Sequence, residues 1–368
     1  MMPLEIVGMI GTRPGSEISG PSVSIVGGHI DPTYVERFSR VHEEGGFDTV
    51  LVGYGSTGPD GFGVASYAAQ KTERLRFLIA HRPGFVAPTL AARKAATLDQ
   101  FSNGRIALHF ITGGSDAEEQ RDGDWLDHDA RYRRTNEYME IVHQIWTSER
   151  PIDFEGEFYR IKGGYSEVKP RQQPHIPMYF GGMSEAALEV GARHADVYMF
   201  WGEPLDSIRQ QMATVRAAAA RYGRSPRFSV SLRPILGATE EQAWERAHGI
   251  LERIREVRGV AALNGASVRP QAMGSRRLLE LAARGEIYDK RLWMPIAMAT
   301  GAGGNTTCLV GTPEQVAESL LAYWELGVTT LLIRGFDPLA DAIEYGHDLL
   351  PIVRAEVARR ETSLPALP

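Results

Sequence analysis

Eight short apolar runs, each followed by a helical stretch, recur along the 368-residue chain, and this alternation limits the possible folds more than any other feature. The runs are Ile6–Ile10, Thr49–Val52, Phe77–Ala80, Ile106–Ile111, Met178–Phe180, Val197–Phe200, Phe228–Leu236 and Thr330–Ile333. Helical patterning covers Pro32–Glu44, Phe62–Ala69, Thr89–Phe101, Arg131–Trp146, Glu185–His194, Leu205–Tyr222, Glu240–Val257 and Pro313–Leu326, and a last helix is expected at Leu339–Arg359. Val215, Ala218, Ala219 and Tyr222 recur on one face, the 3.6-residue period of a helix packed on one side. Asp31–Pro32 and Thr312–Pro313 each put a capping side chain before a proline of the first turn. Strict alternation of strand and helix demands a parallel sheet, and eight units predict a closed (β/α)8 barrel. Nothing in the sequence reads as a linker, so one domain is expected over residues 1–368.

Three stretches exceed what a barrel needs and are read as loop insertions at about 11–28, 151–177 and 259–307. The second contains "IDFEGEFYRIKG", which predicts a β-hairpin turning at Glu155–Gly156. The third ends in the glycine-rich "ATGAGGNTT" and is a candidate lid. A hydrophobic fraction of 43 % and a charged fraction of 23 % are those of a soluble globular protein. The net charge of −6 gives no support to a nucleic-acid partner. The one cysteine, Cys308, cannot form an internal disulfide, which fits a reducing compartment. No run reaches membrane-spanning length and no basic-apolar leader is visible, so no membrane role and a cytoplasmic location are expected.

In a barrel of this type the reactive groups sit at the C-terminal ends of the strands. Those ends carry Arg13, Tyr54, His81, Thr112, Gly181–Gly182–Met183–Ser184, Trp201, Arg233, Arg334 and Phe336, a set with several fixed positive charges that suits an anionic ligand. Gly181 to Ser184 run from a strand into a helix N-terminus. Such a turn either cradles a phosphate with backbone N–H groups or is a tight connection in which Ser184 merely caps the helix. No G-x-G-x-x-G or P-loop motif is present. The histidines form no H-E-x-x-H or H-x-H pair, so no metal is expected. His128, between Asp127 and Asp129, reads equally as part of a capping cluster or as a ligand residue. No G-x-S-x-G serine nucleophile occurs. Trp201 and Glu203 form either a substrate wall or core and cap.

Four stretches carry a family resemblance: "PTLAARKAATLDQFSNGR", "ITGGSDAEEQRDGDWLDHDARY", "PMYFGGMSEAALEVGARHADVYMFWGEP" and "CLVGTPEQVAESLLAYWELGVTTLLIRG". In them the chain resembles the flavin-dependent monooxygenases of the bacterial luciferase-like superfamily, and most closely the alkanesulfonate monooxygenase branch. The resemblance implies the barrel fold and a diffusible reduced FMN, FMNH2, supplied by a separate NAD(P)H-dependent flavin reductase. It further implies O2-dependent oxygenation of a small anionic substrate. For a sulfonate the products would be sulfite and an aldehyde. It also implies a homo-oligomer, a dimer or tetramer. Ser184 would bind the FMN phosphate with Gly181, Gly182 and Met183, assisted by Tyr132 and His128, and Thr112 would lie by the ring system. His81 becomes the candidate proton donor, in a region where the family carries a non-proline cis peptide. Arg233 and Arg334 would grip the substrate, with Arg13, Tyr54, Trp201 and Phe336 around it. The sequence departs from the branch at Gly58, Ser231–Leu232–Arg233, Ala302, Phe336 and Pro338, so its substrate half is expected to differ. The alternatives are a related flavin- or F420-dependent oxidoreductase acting on a non-sulfonate substrate, or a flavin-binding protein without turnover.

Overall fold

The computed structural model describes residues 3–19, 25–263, 270–304 and 306–363, so parts of the first and third expected insertions lie outside the described residues. The strands, in chain order, are β1 (Glu5–Ile10), β2 (Thr49–Val52), β3 (Arg76–His81), β4 (Ile106–Phe110), β5 (Ile152–Glu155), β6 (Arg160–Gly164), β7 (Met178–Gly181), β8 (Val197–Trp201), β9 (Arg227–Leu236), β10 (Ile287–Tyr288), β11 (Leu292–Trp293), β12 (Cys308–Gly311) and β13 (Thr330–Ile333). Eight of them, β1, β2, β3, β4, β7, β8, β9 and β13, pair in parallel, and β9 joins β8 to β13 so that the ring closes. This is the expected (β/α)8 barrel, with helices outside.

The closure follows from strand alternation. Successive side chains point to opposite faces. Phe77 and Ile79 of β3 pack outward with Val50 and Leu108 into the layer beneath the helices. Leu78, between them, turns into the lumen and meets Ala107, Tyr179 and Val197. The N-terminal end of the lumen is stoppered by Glu5, whose carboxylate accepts from Thr49 Oγ1 at 2.7 Å, Tyr179 Oη at 2.9 Å and Thr330 Oγ1 at 3.2 Å. With that end satisfied by side chains from four strands, the C-terminal mouth is left for a ligand.

The insertions are more ordered than a loop reading suggests. β5 and β6 form the expected hairpin, with Glu155 opposite Arg160. The third insertion does not begin at 259, because the helix Glu240–Leu263 runs through that position. After it come a helix at Met273–Arg284, the pair β10–β11, a short helix at Pro295–Thr300 and β12. β12 has no counterpart in the sequence reading. It exists because β9, at ten residues, overhangs the barrel, and its second half would otherwise be an unpaired edge. β12 covers that edge in parallel, with Cys308 opposite Arg233 and Gly311 opposite Leu236. A second apolar cluster forms there from Ile235, Ala247, Ile254, Trp293, Val310 and Phe336. The helix expected at the C-terminal end is interrupted by a wide π turn at Tyr345–Leu349.

Candidate functional site

β7 ends at Gly181, and the helix Glu185–His194 begins four residues later. Gly182 has φ +136°, a conformation L side chains avoid, and a Cβ there would stand 2.8 Å from Ala187 Cβ and 3.3 Å from Tyr132 Oη. Ser184 is the N-cap, its Oγ accepting from Ala187 N at 3.2 Å. The Tyr132 hydroxyl lies beside the same serine, and burial raises its pKa so that it stays a protonated phenol. Tyr198 Oη donates to the Gly182 carbonyl at 2.5 Å and holds the turn. The His128 ring packs 4.8 Å from that of Tyr132, while its Nδ1 bonds Asp129 at 2.7 Å. Gly181, Gly182, Met183, Ser184, Tyr132 and His128 are therefore brought together. Two hydroxyls meet the free N–H groups of a helix start, in a space that any side chain at 182 would fill. That donor set is the chemistry of a phosphate cradle. Of the two sequence readings of this turn, the helix cap is the one observed.

Further round the same mouth, Arg233 is fully buried. Its Nη2 bonds Glu17 Oε2 at 2.7 Å, its Nη1 donates to the Gly335 carbonyl at 2.6 Å, and its guanidinium lies 4.5 Å over the Phe336 ring. The sequence reading gave Arg233 a grip on substrate and Phe336 a place in its wall. Both are sealed inside the β9–β12 cluster, so this is a correction. Glu17, far off in sequence, reaches Arg233 by way of the first loop. Arg334 shares that carboxylate, with Nη1 3.4 Å from Glu17 Oε1 and 2.9 Å from Met9 Sδ. Its side chain keeps 12 % exposure, and Gly304 lies beside it. Burial and the charge of Arg233 push its pKa down to about 10, so it remains cationic at neutral pH. Arg13 is exposed and lies over Gly28.

His81 also needs correcting. It is the last residue of β3 and points outward, like Phe77 and Ile79. Its Nε2 bonds Tyr138 Oη at 2.7 Å, and its ring is edge-on to Phe62 and Phe110. Burial lowers its pKa to about 4, so it is a neutral, satisfied core histidine and not a proton donor facing the mouth. Thr112 likewise turns to the helix layer, donating to Thr135 Oγ1 at 3.2 Å. Tyr54 bonds Asp122 and carries the Arg82 guanidinium 4.4 Å over its ring. Trp201 is half-buried at the end of β8. The one cis bond among the described residues is Gln173–Pro174, so the third strand end has none.

A family model for luciferase-like monooxygenases matches residues 5–330. The chain belongs to this family. Solved structures with the luciferase-like fold overlay nearly the whole chain at low identity. A riboflavin lyase with modified FMN and riboflavin has a TM-score of 0.78 at 19% identity, covering 96% of this chain and 92% of that one. EDTA monooxygenase from Chelativorans sp. BNC1 has a TM-score of 0.77 at 18% identity, covering 99% and 98%. An F420-dependent secondary alcohol dehydrogenase in complex with an F420-acetone adduct has a TM-score of 0.68 at 15% identity, covering 96% and 100%. Among the described residues no three metal-ligating side chains are grouped, and no helix is long and apolar enough to cross a membrane.

Within this luciferase-like barrel, the structure adds residues that the sequence reading did not single out. Glu17 is one, and only its burial and pairing reveal it. Arg82 is another, buried and paired with Glu119 beneath Gly113. A third group bridges the mouth. Gln271 accepts from Asp116 N at 2.9 Å, Gly274 packs on Trp201, Ser275 Oγ donates to the Ala302 carbonyl at 2.8 Å, and Arg277 bonds Glu203 at 2.8 Å. Residues 271–277 thus cross from the end of β4 to the end of β8. Part of the expected lid is this strap.

Proposed function

We propose that the protein is an FMNH2- and O2-dependent monooxygenase of a two-component system that acts on a small organic anion, an organosulfonate being the first class to test. The observation that carries this reading is the convergence of Ser184, Tyr132 and the glycine turn at the C-terminal end of a closed barrel, the same end at which Arg334 follows β13. The cradle fits a flavin phosphate: Ser184 and Tyr132 would hold it with the N–H groups that start the helix, and Gly182 keeps the approach open. Bound reduced flavin supplies the reaction with O2 that places one oxygen on the substrate. The chain's own part is to bind, orient and exclude water.

Anion preference follows from charge. Arg334 keeps its positive charge at neutral pH and a part of its side chain open to solvent, beside the Glu17 carboxylate that also pairs with Arg233. An anionic head group would meet the Arg334 guanidinium in a charge-assisted contact, and partial desolvation makes such a contact worth more than it is in water. Arg233 acts at one remove, holding Glu17 and the Gly335 turn. The strap over Trp201 fits the need to shut out water while flavin is bound. A separate NAD(P)H-dependent flavin reductase and a dimeric or tetrameric assembly belong to this same reading.

The test is oxygen uptake and sulfite release from a panel of sulfonates, with FMN, NADH and a flavin reductase supplied. Sulfite formed in step with oxygen uptake supports the reading. Hydride transfer to or from F420 without oxygen uptake replaces it with the deazaflavin-linked alternative, the chemistry named for one of the structural neighbours.

A further inference from the structure

Alternate residues of β1 take opposite faces of the strand. Ile6 and Ile10 join the outer core and Gly8 backs onto His42 and Phe47 there, so Met9 faces inward near the C-terminal end of the strand. Its thioether has room because the neighbouring strand end carries no side chain, and a Cβ at Gly53 would stand 2.8 Å from Met9 Cε. The sulfur lies 2.9 Å from Arg334 Nη1, the nitrogen that also faces Glu17 Oε1 at 3.4 Å. Met9 keeps 8 % exposure. With Glu17, Ile25 and Arg334 it lines a cavity of about 10 Å³, close to the room that one water-sized molecule needs.

A thioether sulfur is a weak hydrogen-bond acceptor and a poor match for a guanidinium donor. Oxidation makes the same side chain polar and gives it a sulfoxide oxygen. We propose that Met9 is an oxidation site, and that its conversion to the sulfoxide by hydrogen peroxide draws Arg334 inward and weakens the contact of Arg334 with an anion. The effect on the anion rests on the reading of Arg334 given above. In the reaction the sulfur lone pair attacks one peroxide oxygen and the O–O bond breaks. The sulfur is oxidised by two electrons and keeps that oxygen, while the other oxygen is reduced and leaves as water with both protons. The oxidant has a local source under the flavin reading, because reduced flavin that meets O2 without oxygenating a substrate yields hydrogen peroxide. The new oxygen is bonded to an atom already against Nη1, so it competes with an incoming anion for the guanidinium.

The test treats the full-length protein with hydrogen peroxide in the absence of flavin. The peptide bearing Met9 is followed by mass beside those bearing the exposed Met273 and Met298. Methanesulfonate is titrated by calorimetry before and after treatment, in the wild type, in Met9→Leu and in Arg334→Ala. The expected result is one added oxygen at Met9 and a loss of about fivefold or more in the wild-type affinity for methanesulfonate. Met9→Leu is expected to hold its own starting affinity through the same treatment, which separates Met9 from the other methionines. Met9 left reduced once Met273 and Met298 are oxidised overturns the proposal, and so does an equal loss of affinity in Met9→Leu. Methanesulfonate binding that is absent, or indifferent to Arg334→Ala, removes the anion reading of Arg334 and this inference together. Binding that depends on Arg334 but survives oxidation of Met9 removes this inference alone.

Discussion

Gly182 and Ser184 shape the turn after β7 by different means. Gly182→Ala forces a side chain into φ +136° and against Ala187, so a loss of about 1–3 kcal/mol in denaturant unfolding is expected along with weaker flavin binding. The two arginines should separate cleanly. Arg233→Ala leaves the Glu17 carboxylate buried beside an emptied space, and a destabilisation of roughly 3–5 kcal/mol is expected. Arg334→Ala lies nearer the opening. It should raise KM for an anionic substrate about tenfold or more, with a smaller cost in stability, and an unchanged KM would end its role as the anion contact. The glycine turn and its serine cap were legible in the sequence because residues 181–184 lie side by side at a helix start, while the contact with Tyr132 was not, because the fold alone brings it there. The arginine pairing was not, because Glu17 and Arg233 are 216 residues apart and only the fold joins them. The outward face of His81 was not legible either, because the run Phe77–Ala80 is too uniformly apolar for its alternation to reveal it.

The segments that shape the mouth are secondary elements used for cover. β9 spends its first half in the barrel and its second half against β12, which is why an apolar run of barrel length plus four residues was visible in the sequence while its partner was not. Cys308–Gly311 is too short to announce itself, and it reads as the prelude to the capped helix at Thr312–Pro313. The strap depends on a small residue, since a Cβ at Gly274 would lie 3.1 Å from the Trp201 ring. Gly274→Val is expected to lift the strap, raising KM and the proteolysis rate near residue 270, and an unaltered cleavage rate would show that the strap is not held there. On the outer layer the wide turn at Tyr345–Leu349 brings Gly346 against Gly45, where an added Cβ would lie 2.6 Å from the Gly45 backbone. Gly346→Ala should cost about 1–3 kcal/mol by overpacking that crossing, and a melting temperature equal to wild type would contradict it.

Across the entire chain, the βα period gave away the barrel, since nothing but a parallel sheet accommodates it. What the period hides is the lumen, whose chemistry depends on the shear between strands. The buried histidines also give the protein a pH response. Burial lowers His42, His81 and His109 to about 4 and His194 to about 3. The unfolded chain takes up these protons below its ordinary histidine pKa near 6.5, and the folded chain does not, so their stability contribution is complete above 6.5 and is lost as pH falls toward 4. Glu119 and Asp341, raised by burial to about 7 and about 6, oppose this from pH 7 down to about 4, but they are two groups against four. The melting temperature should therefore fall between pH 6.5 and 4, and a flat profile would show that these histidines are not held neutral.

The central claim is that residues 181–184 with Tyr132 hold a flavin by its phosphate. The most direct measurement compares anaerobic dissociation constants for reduced FMN and reduced riboflavin, in the wild type and in Ser184→Ala. The expected result is that FMN binds at least about tenfold more tightly than riboflavin, and that Ser184→Ala narrows this gap while leaving riboflavin affinity alone. Equal affinity for the two flavins in the wild type would mean that no phosphate docks in the cradle, and the functional reading would fall with it.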